Sequence, residues 1–187
     1  MSFGSMEVNT KLLILDLDET LVHGTETPHD ENYHFRTEKY HIYKRPYVNE
    51  FLGFCKEHFK VAVWTSSGEE YASNVIEKLF GMEYPLEFVW SRRKCTPSFD
   101  HQAYMHEYIK NLRKVKDKGY RLEKVIMVDD TPFKLSKNYG NLVRVQEFLG
   151  DPKDNELEML MKYLLVLKEV ENIRCVEKRG WKSTNQA

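Results

Sequence analysis

Four short apolar runs constrain the fold of this chain more than any other feature: Leu12-Leu13-Ile14-Leu15, Val61-Ala62-Val63-Trp64, Leu86 to Trp90, and Val125-Ile126-Met127-Val128. They are short, rich in branched residues and nearly continuous in hydrophobicity, which is the pattern of strands buried on both faces. Leu142-Val143-Arg144-Val145 is a weaker fifth. Helical patterns separate them at Tyr47 to Phe59, Glu69 to Phe80 closed by Gly81, Tyr104 to Val115, a short stretch after Pro132, and about Asn155 to Val170. Strands alternating with helices predict an α/β fold in which a central parallel sheet carries helices on both faces. Leu21 to Arg45 interrupts the alternation, because it is polar, holds Gly24 and Pro28, and then alternates aromatic with polar residues in Tyr33-His34-Phe35 and Tyr40-His41-Ile42-Tyr43. It reads as a loop with a β-hairpin or flap, too small at about 25 residues to own a core.

The 187 residues suit one compact core, expected over residues 7–179 with free ends at 1–6 and 180–187. With 28 basic against 29 acidic side chains the net charge is -1, which argues against a coat for nucleic acid or for an anionic membrane. A monomer without direct nucleic-acid or membrane partners is expected. Cys55, Cys95 and Cys175 are odd in number and widely spaced, so they form neither a disulfide framework nor a CxxC metal knuckle. A reducing compartment, cytoplasmic or nuclear, follows as the expectation. No apolar run approaches the roughly 20 residues that span a bilayer, and Met1 to Met6 lacks the basic and apolar regions of a signal peptide.

Three of the four clear runs end in residues suited to phosphoryl transfer: Asp16 and Asp18, then Thr65 and Ser66, then Asp129 and Asp130. Taken singly, such residues are ordinary helix caps and turn formers. In an open α/β sheet, however, the carboxyl ends of the strands share one crevice, so these residues converge. Four crowded carboxylates raise one another's pKa unless a cation neutralises them. A hard divalent ion such as Mg2+, bound by carboxylates, waters and phosphate oxygens, answers that need. One aspartate can then attack phosphorus while a second, two residues on, protonates the leaving oxygen.

Asp16-Leu17-Asp18-Glu19-Thr20-Leu21-Val22 after an apolar strand matches the DxDxT signature of the haloacid-dehalogenase superfamily. The wider pattern resembles its FCP/SCP-like branch, the NLI-interacting-factor-like phosphatases of the RNA polymerase II C-terminal domain. Lys44-Arg45-Pro46, Trp64-Thr65-Ser66, Arg92 with Cys95, Tyr108-Ile109-Lys110-Asn111-Leu112, Asp129-Asp130-Thr131-Pro132 and Asn155 to Arg174 carry the likeness, which runs from Lys11 to about Arg179. The resemblance implies a Rossmann-like fold with Asp16 as phosphoryl acceptor and Asp18 as general acid and base, the Asp18 backbone carbonyl also meeting Mg2+. It implies that Thr65 holds a phosphate oxygen by its hydroxyl and a backbone N–H, that Lys110 neutralises the transferring group, and that Asp129 holds the metal directly or through water. Asp130 is a further metal candidate, and Thr20, Ser66 and Arg92 are candidates for substrate contact. Of the lysines near this motif, Lys110 alone has the YxKxL context; Arg113, Lys114, Lys116 and Lys118 read as a solvated basic face.

The residues after Cys95 lack the glycines and terminal arginine of a Cys-x5-Arg loop, which removes a cysteine mechanism, and the seven histidines have no zinc-site spacing. Neither the Leu21-to-Arg45 flap nor the loop from Arg92 to about Ala103 is large enough to be an enclosing cap. An open crevice suits a phosphorylated protein side chain, serine or threonine and in a deeper aromatic-lined crevice tyrosine, better than a small free substrate. The expected function is a Mg2+-dependent phosphoprotein phosphatase. A silent phosphopeptide-binding scaffold and a small-molecule phosphomonoesterase are the alternatives. A receiver-like domain is disfavoured, because its lone acceptor and acidic pair fall in the opposite order.

Overall fold

The computed structural model describes residues 10–101 and 104–184. In chain order it contains β1 (Leu12–Leu15), β2 (Val22–Thr25), β3 (Phe35–Arg36), β4 (His41–Lys44), α1 (Val48–His58), β5 (Lys60–Trp64), α2 (Glu69–Phe80) and β6 (Leu86–Trp90). There follow β7 (Thr96–Asp100), β8 (Met105–Ile109), α3 (Arg113–Lys116), β9 (Val125–Asp129), β10 (Leu142–Arg144), α4 (Glu156–Glu169) and α5 (Trp181–Thr184). Strands β1, β5, β6, β9 and β10 build the parallel sheet in the order β10-β9-β1-β5-β6. The chain leaves the central β1 for β5 and β6 on one side, then crosses to β9 and β10 on the other. The crevice above the carboxyl ends of β9, β1 and β5 is therefore the topological switch point.

The period of two along each strand sorts the apolar runs between two cores. Leu13, Leu15, Val61, Val63, Ile126 and Val128 join the core shared with α1, α2 and α4, while Leu12, Ile14, Ala62, Trp64, Val125 and Met127 join the other. The two faces are covered unequally. Among the described residues the second face is covered by the four-residue α3 and short 3-10 turns, and its core combines aliphatic residues such as Val115 and Leu135 with large aromatics. Trp64 meets Trp90 edge-on at 4.8 Å, and Phe88 stacks on Trp90 at 4.2 Å.

The expected helix from Tyr104 to Val115 does not form as one element. Residues 105–109 are β8, paired antiparallel with β7 from Thr96↔Ile109 to Asp100↔Met105, and helix begins only at Arg113. The apolar spacing of Tyr104, Tyr108, Ile109, Leu112 and Val115 mimics a helix. A partner strand outside that window overrides it, and Phe99 packs on Tyr104 and His106 at ring distances of 5.4 and 5.2 Å. His101 and His106 thus flank a hairpin turn rather than a helix start. Ala103, where the expected loop ends, lies outside the described residues. The stretch after Pro132 is a 3-10 turn.

The flap is a small antiparallel sheet in the order β2-β4-β3. Its base is clamped by Arg45, whose buried guanidinium donates to the Thr20 carbonyl at 2.9 Å, to the Gln146 carbonyl at 2.8 Å and to both oxygens of Asp154 at 2.9 and 2.8 Å. Residues 1–6, expected as a free start, lie outside the described residues. Trp181, expected in the free end, is instead buried: it stacks on Tyr163 at 5.3 Å and its Nε1 donates to the Arg144 carbonyl at 2.7 Å.

Candidate active site

The carboxyl ends of β1 and β9 bring Asp16 and Asp129 together, both fully buried, with Asp130 beside them. Each of the three offers an oxygen, and these oxygens lie within 4.8 Å of one another. Lys110 leaves the end of β8 and enters between two of them, its Nζ 2.7 Å from Asp16 Oδ1 and 2.6 Å from Asp129 Oδ2. Lys114, the neighbouring alternative, is half-buried and donates to the Lys94 carbonyl at 2.7 Å, away from the carboxylates. Burial acts to raise Asp16, but the ammonium groups of Lys110 and Lys134 outweigh it and hold Asp16 below the ordinary carboxylate range. Asp129 moves the other way: burial and the Asp16 charge push it up to about 6.

Asp18 leaves this cluster. Its carboxylate turns toward α2, where Oδ2 accepts from Ser67 Oγ at 2.6 Å and from Thr65 Oγ1 at 3.3 Å, and Oδ1 accepts from the Tyr71 hydroxyl at 2.5 Å. Burial, then the Asp16 charge, raises Asp18 above the ordinary range. The four carboxylates expected at one edge are thus three around the lysines and one held apart as a separate acid. A tight turn after β1 produces this separation, with Glu19 at φ 56° and the N–H groups of Leu21 and Val22 both on the Leu17 carbonyl.

Thr65 is fully buried, and its own N–H is taken by the Trp90 carbonyl, so its hydroxyl is the group nearest the site. Ser66 lines the crevice, and its carbonyl accepts from Arg92 Nε at 2.6 Å. The Arg92 guanidinium lies 5.1 Å over the Tyr108 ring at the rim. Thr20 does not reach the crevice: it is fully buried, and its carbonyl is spent on Arg45. The crevice, about 370 Å³, is walled by Tyr40, Tyr71 and Tyr108 with Asp18, Glu19 and Lys134. A larger cavity of about 690 Å³ lies along β10, lined by Arg144, Arg174 and Arg179, and contains none of the clustered carboxylates. Cys95 is buried and its thiol is pushed up by that burial, which suits a packing residue and not a thiolate.

Three residues were not found by sequence reasoning. Ser67 and Tyr71 lie in the turn and first helical turn after β5, where a serine and a tyrosine look like a cap and a core residue. Lys134 sits in the turn after Pro132 with no periodic pattern around it. The signal available for all three was position, since each follows a strand that ends at the crevice.

The model of the NLI interacting factor-like phosphatase family matches residues 11–174. The chain belongs to this family. Among its relatives, Nuclear envelope morphology protein 1 of Saccharomyces cerevisiae is 30% identical over 206 residues, covering 94% of this chain and 43% of that protein. CTD nuclear envelope phosphatase 1B of Danio rerio is 30% identical over 188 residues, covering 92% of this chain and 73% of the relative. In fold the phosphatase resembles the fission yeast RNA polymerase II CTD phosphatase Fcp1, solved bound to beryllium fluoride. That match has a TM-score of 0.57 at 16% identity and covers 95% of this chain and 62% of the other. The chain thus spans under half of the yeast relative and about three quarters of the fish one. Among the described residues no helix is long and apolar enough to cross a membrane.

Proposed function

We propose that this phosphatase is a Mg2+-dependent phosphoprotein phosphatase that works through an aspartyl-phosphate on Asp16. The observation that carries the reading is a buried Asp16 held ionised by Lys110 and Lys134 beside Asp129 and Asp130, with Asp18 two residues on and kept apart from them. Asp130 Oδ1 is buried and has no hydrogen-bond partner among the described residues, and Asp129 is pushed up by burial and by its neighbour's charge. Both are signs of a donor set short of positive charge, and three carboxylates suit a hard cation. Asp16, Asp129 and Asp130 would hold it. When bound, the ion offsets the negative charge of the phosphate oxygens.

Asp16 attacks phosphorus, and the bond to the leaving oxygen breaks as Asp18 supplies its proton. The raised pKa of Asp18 suits that task, because it keeps the proton nearer to neutral pH. In the second step Asp18 takes a proton from the water that attacks the phosphorylated Asp16. Lys110 stabilises the charge spread over the transferring group, and Thr65 helps to seat it. On this reading Arg92, at the rim, grips the flanking peptide, which its position over Tyr108 supports.

Phosphoserine and phosphothreonine are the leading substrates. Phosphotyrosine is the second reading, favoured by the three tyrosines that wall the crevice. Hydrolysis of p-nitrophenyl phosphate is expected with Mg2+ and lost with chelator; equal rates in both would overturn the metal-dependent mechanism. A panel of phosphopeptides then ranks the three side chains by kcat/KM, and a preference for sugar phosphates over all of them would overturn the protein substrate.

Tyr71 positions the acid. Tyr71→Phe should lower kcat by roughly tenfold, the scale of one hydrogen bond to a charged group, with KM nearly unchanged. A rise in KM at constant kcat would show that Tyr71 binds substrate instead.

A further inference from the structure

Two lysines enter one carboxylate cluster, and they do so differently. Lys110 is fully buried and takes Asp16 Oδ1 and Asp129 Oδ2 at 2.7 and 2.6 Å. Of the four oxygens it does not take, Asp16 Oδ2, Asp129 Oδ1 and Asp130 Oδ1 face the Nζ of Lys134 at 3.4, 3.8 and 3.7 Å, with Asp129 Oδ1 also accepting the Thr131 N–H at 3.0 Å, while Asp130 Oδ2 accepts from the Thr131 hydroxyl at 2.8 Å. Only the first of the three Lys134 distances is within hydrogen-bond range. An ammonium among three acceptors, tightly bound to none, is a poor fit to a place that suits a smaller and more highly charged ion. Lys134 also has an exit that Lys110 lacks, because its side chain is 11% exposed and lines the crevice. The backbone beneath it is fixed, since the Lys134 carbonyl accepts the Lys110 N–H at 2.7 Å, so any displacement is confined to the side chain.

We propose that the Lys134 ammonium is a built-in competitor for the divalent-ion site. It sits among three of the four oxygens that Lys110 does not take, weakens metal binding there, and moves into the crevice when the ion arrives. The proposal rests on the reading of Asp16, Asp129 and Asp130 as the metal ligands. Three carboxylates against two ammonium groups leave one net negative charge for a dication; removal of Lys134 leaves two. At these separations the difference is large even with strong dielectric screening.

The test needs no substrate. Mg2+ is titrated calorimetrically into the metal-free wild-type protein and into Lys134→Met and Lys134→Gln, each checked for folding by circular dichroism. Both variants should bind Mg2+ at least about tenfold more tightly. Equal or weaker binding would overturn the proposal. Lys134→Arg, which keeps the charge, should not gain affinity, and a gain equal to that of Lys134→Met would also overturn it.

Should the neutral variants fail to fold, the wild type still decides. Amine labelling read by mass spectrometry should show Lys134 becoming more reactive when Mg2+ is added, with Lys110 unchanged. An unchanged or lower reactivity of Lys134 would overturn the proposal. Turnover of p-nitrophenyl phosphate is measured separately. Tighter Mg2+ binding in the variants of a protein that hydrolyses no ester would sustain the competition and sink the phosphatase mechanism. Mg2+-dependent turnover with unchanged affinity in the variants would do the reverse.

Discussion

Asp16→Asn is expected to reduce Mg2+-dependent hydrolysis of p-nitrophenyl phosphate by about 10⁴-fold or more, the scale seen when a covalent nucleophile is removed. The amide keeps the shape of the side chain but offers no anionic oxygen to phosphorus. It also removes the negative charge that Lys110 and Lys134 share, so metal binding should weaken along with turnover. Initial rates at saturating Mg2+ separate the two effects, because lost chemistry is not restored by more metal. The variant should stay folded with a lowered melting temperature, since Asp129 and Asp130 still partner both lysines. An undiminished rate in folded Asp16→Asn would exclude Asp16 as the phosphoryl acceptor.

The largest expected effect on stability lies away from the chemistry. Asp154→Ala should destabilise the protein by about 3–5 kcal/mol, because it strands the fully buried Arg45 guanidinium without its carboxylate. For a chain of this size that corresponds to a fall in melting temperature on the order of 10 °C. Urea unfolding at pH 7 measures it, and a change below about 1 kcal/mol would show that the carbonyls of Thr20 and Gln146 suffice. The pH dependence has a definite sign. Burial acts to raise Asp154, but Arg45 and the Glu156 N–H outweigh it and hold the folded-state value below the ordinary one. As pH falls, the unfolded chain therefore takes up the proton first. The stabilisation is fully present above the unfolded value near about 3.9 and is lost as pH falls through the folded value beneath it. The gap between wild type and Asp154→Ala should be flat from about pH 8 to 5 and shrink below about pH 4.

The parts legible in the sequence were those with a local physical signature. A strand buried on both faces must be apolar throughout, so Leu12–Leu15 and Val125–Asp129 announced themselves, and the carboxylates that follow them had to meet at the sheet's edge. Gly81, at φ 70°, marked the end of α2 for an equally local reason. What was missed depends on contacts between distant segments. β8 is a strand because β7 pairs with it, against its own helical spacing. Lys134 reaches Asp16 across 118 residues of sequence, and Tyr71 reaches Asp18 across 53. Arg45 stood out only as part of a resemblance, because its buried pairing with Asp154 spans 109 residues.

The pairing of β1 with β9, from Leu12↔Val125 to Leu15↔Val128, bears on how the protein comes to be active. Asp16 and Asp129 approach only when that pair closes, and the intervening chain includes the flap, α1, β5, α2, β6 and the hairpin. Closing so long a loop carries an entropic cost before any contact repays it, which makes such parallel pairings slow to form. A chain emerging from the ribosome therefore carries Asp16 well before Asp129 and Asp130, its partners in the carboxylate cluster. If these carboxylates hold the proposed divalent ion, affinity for it should appear only once the centre of the sheet is complete, so ion binding would report finished folding.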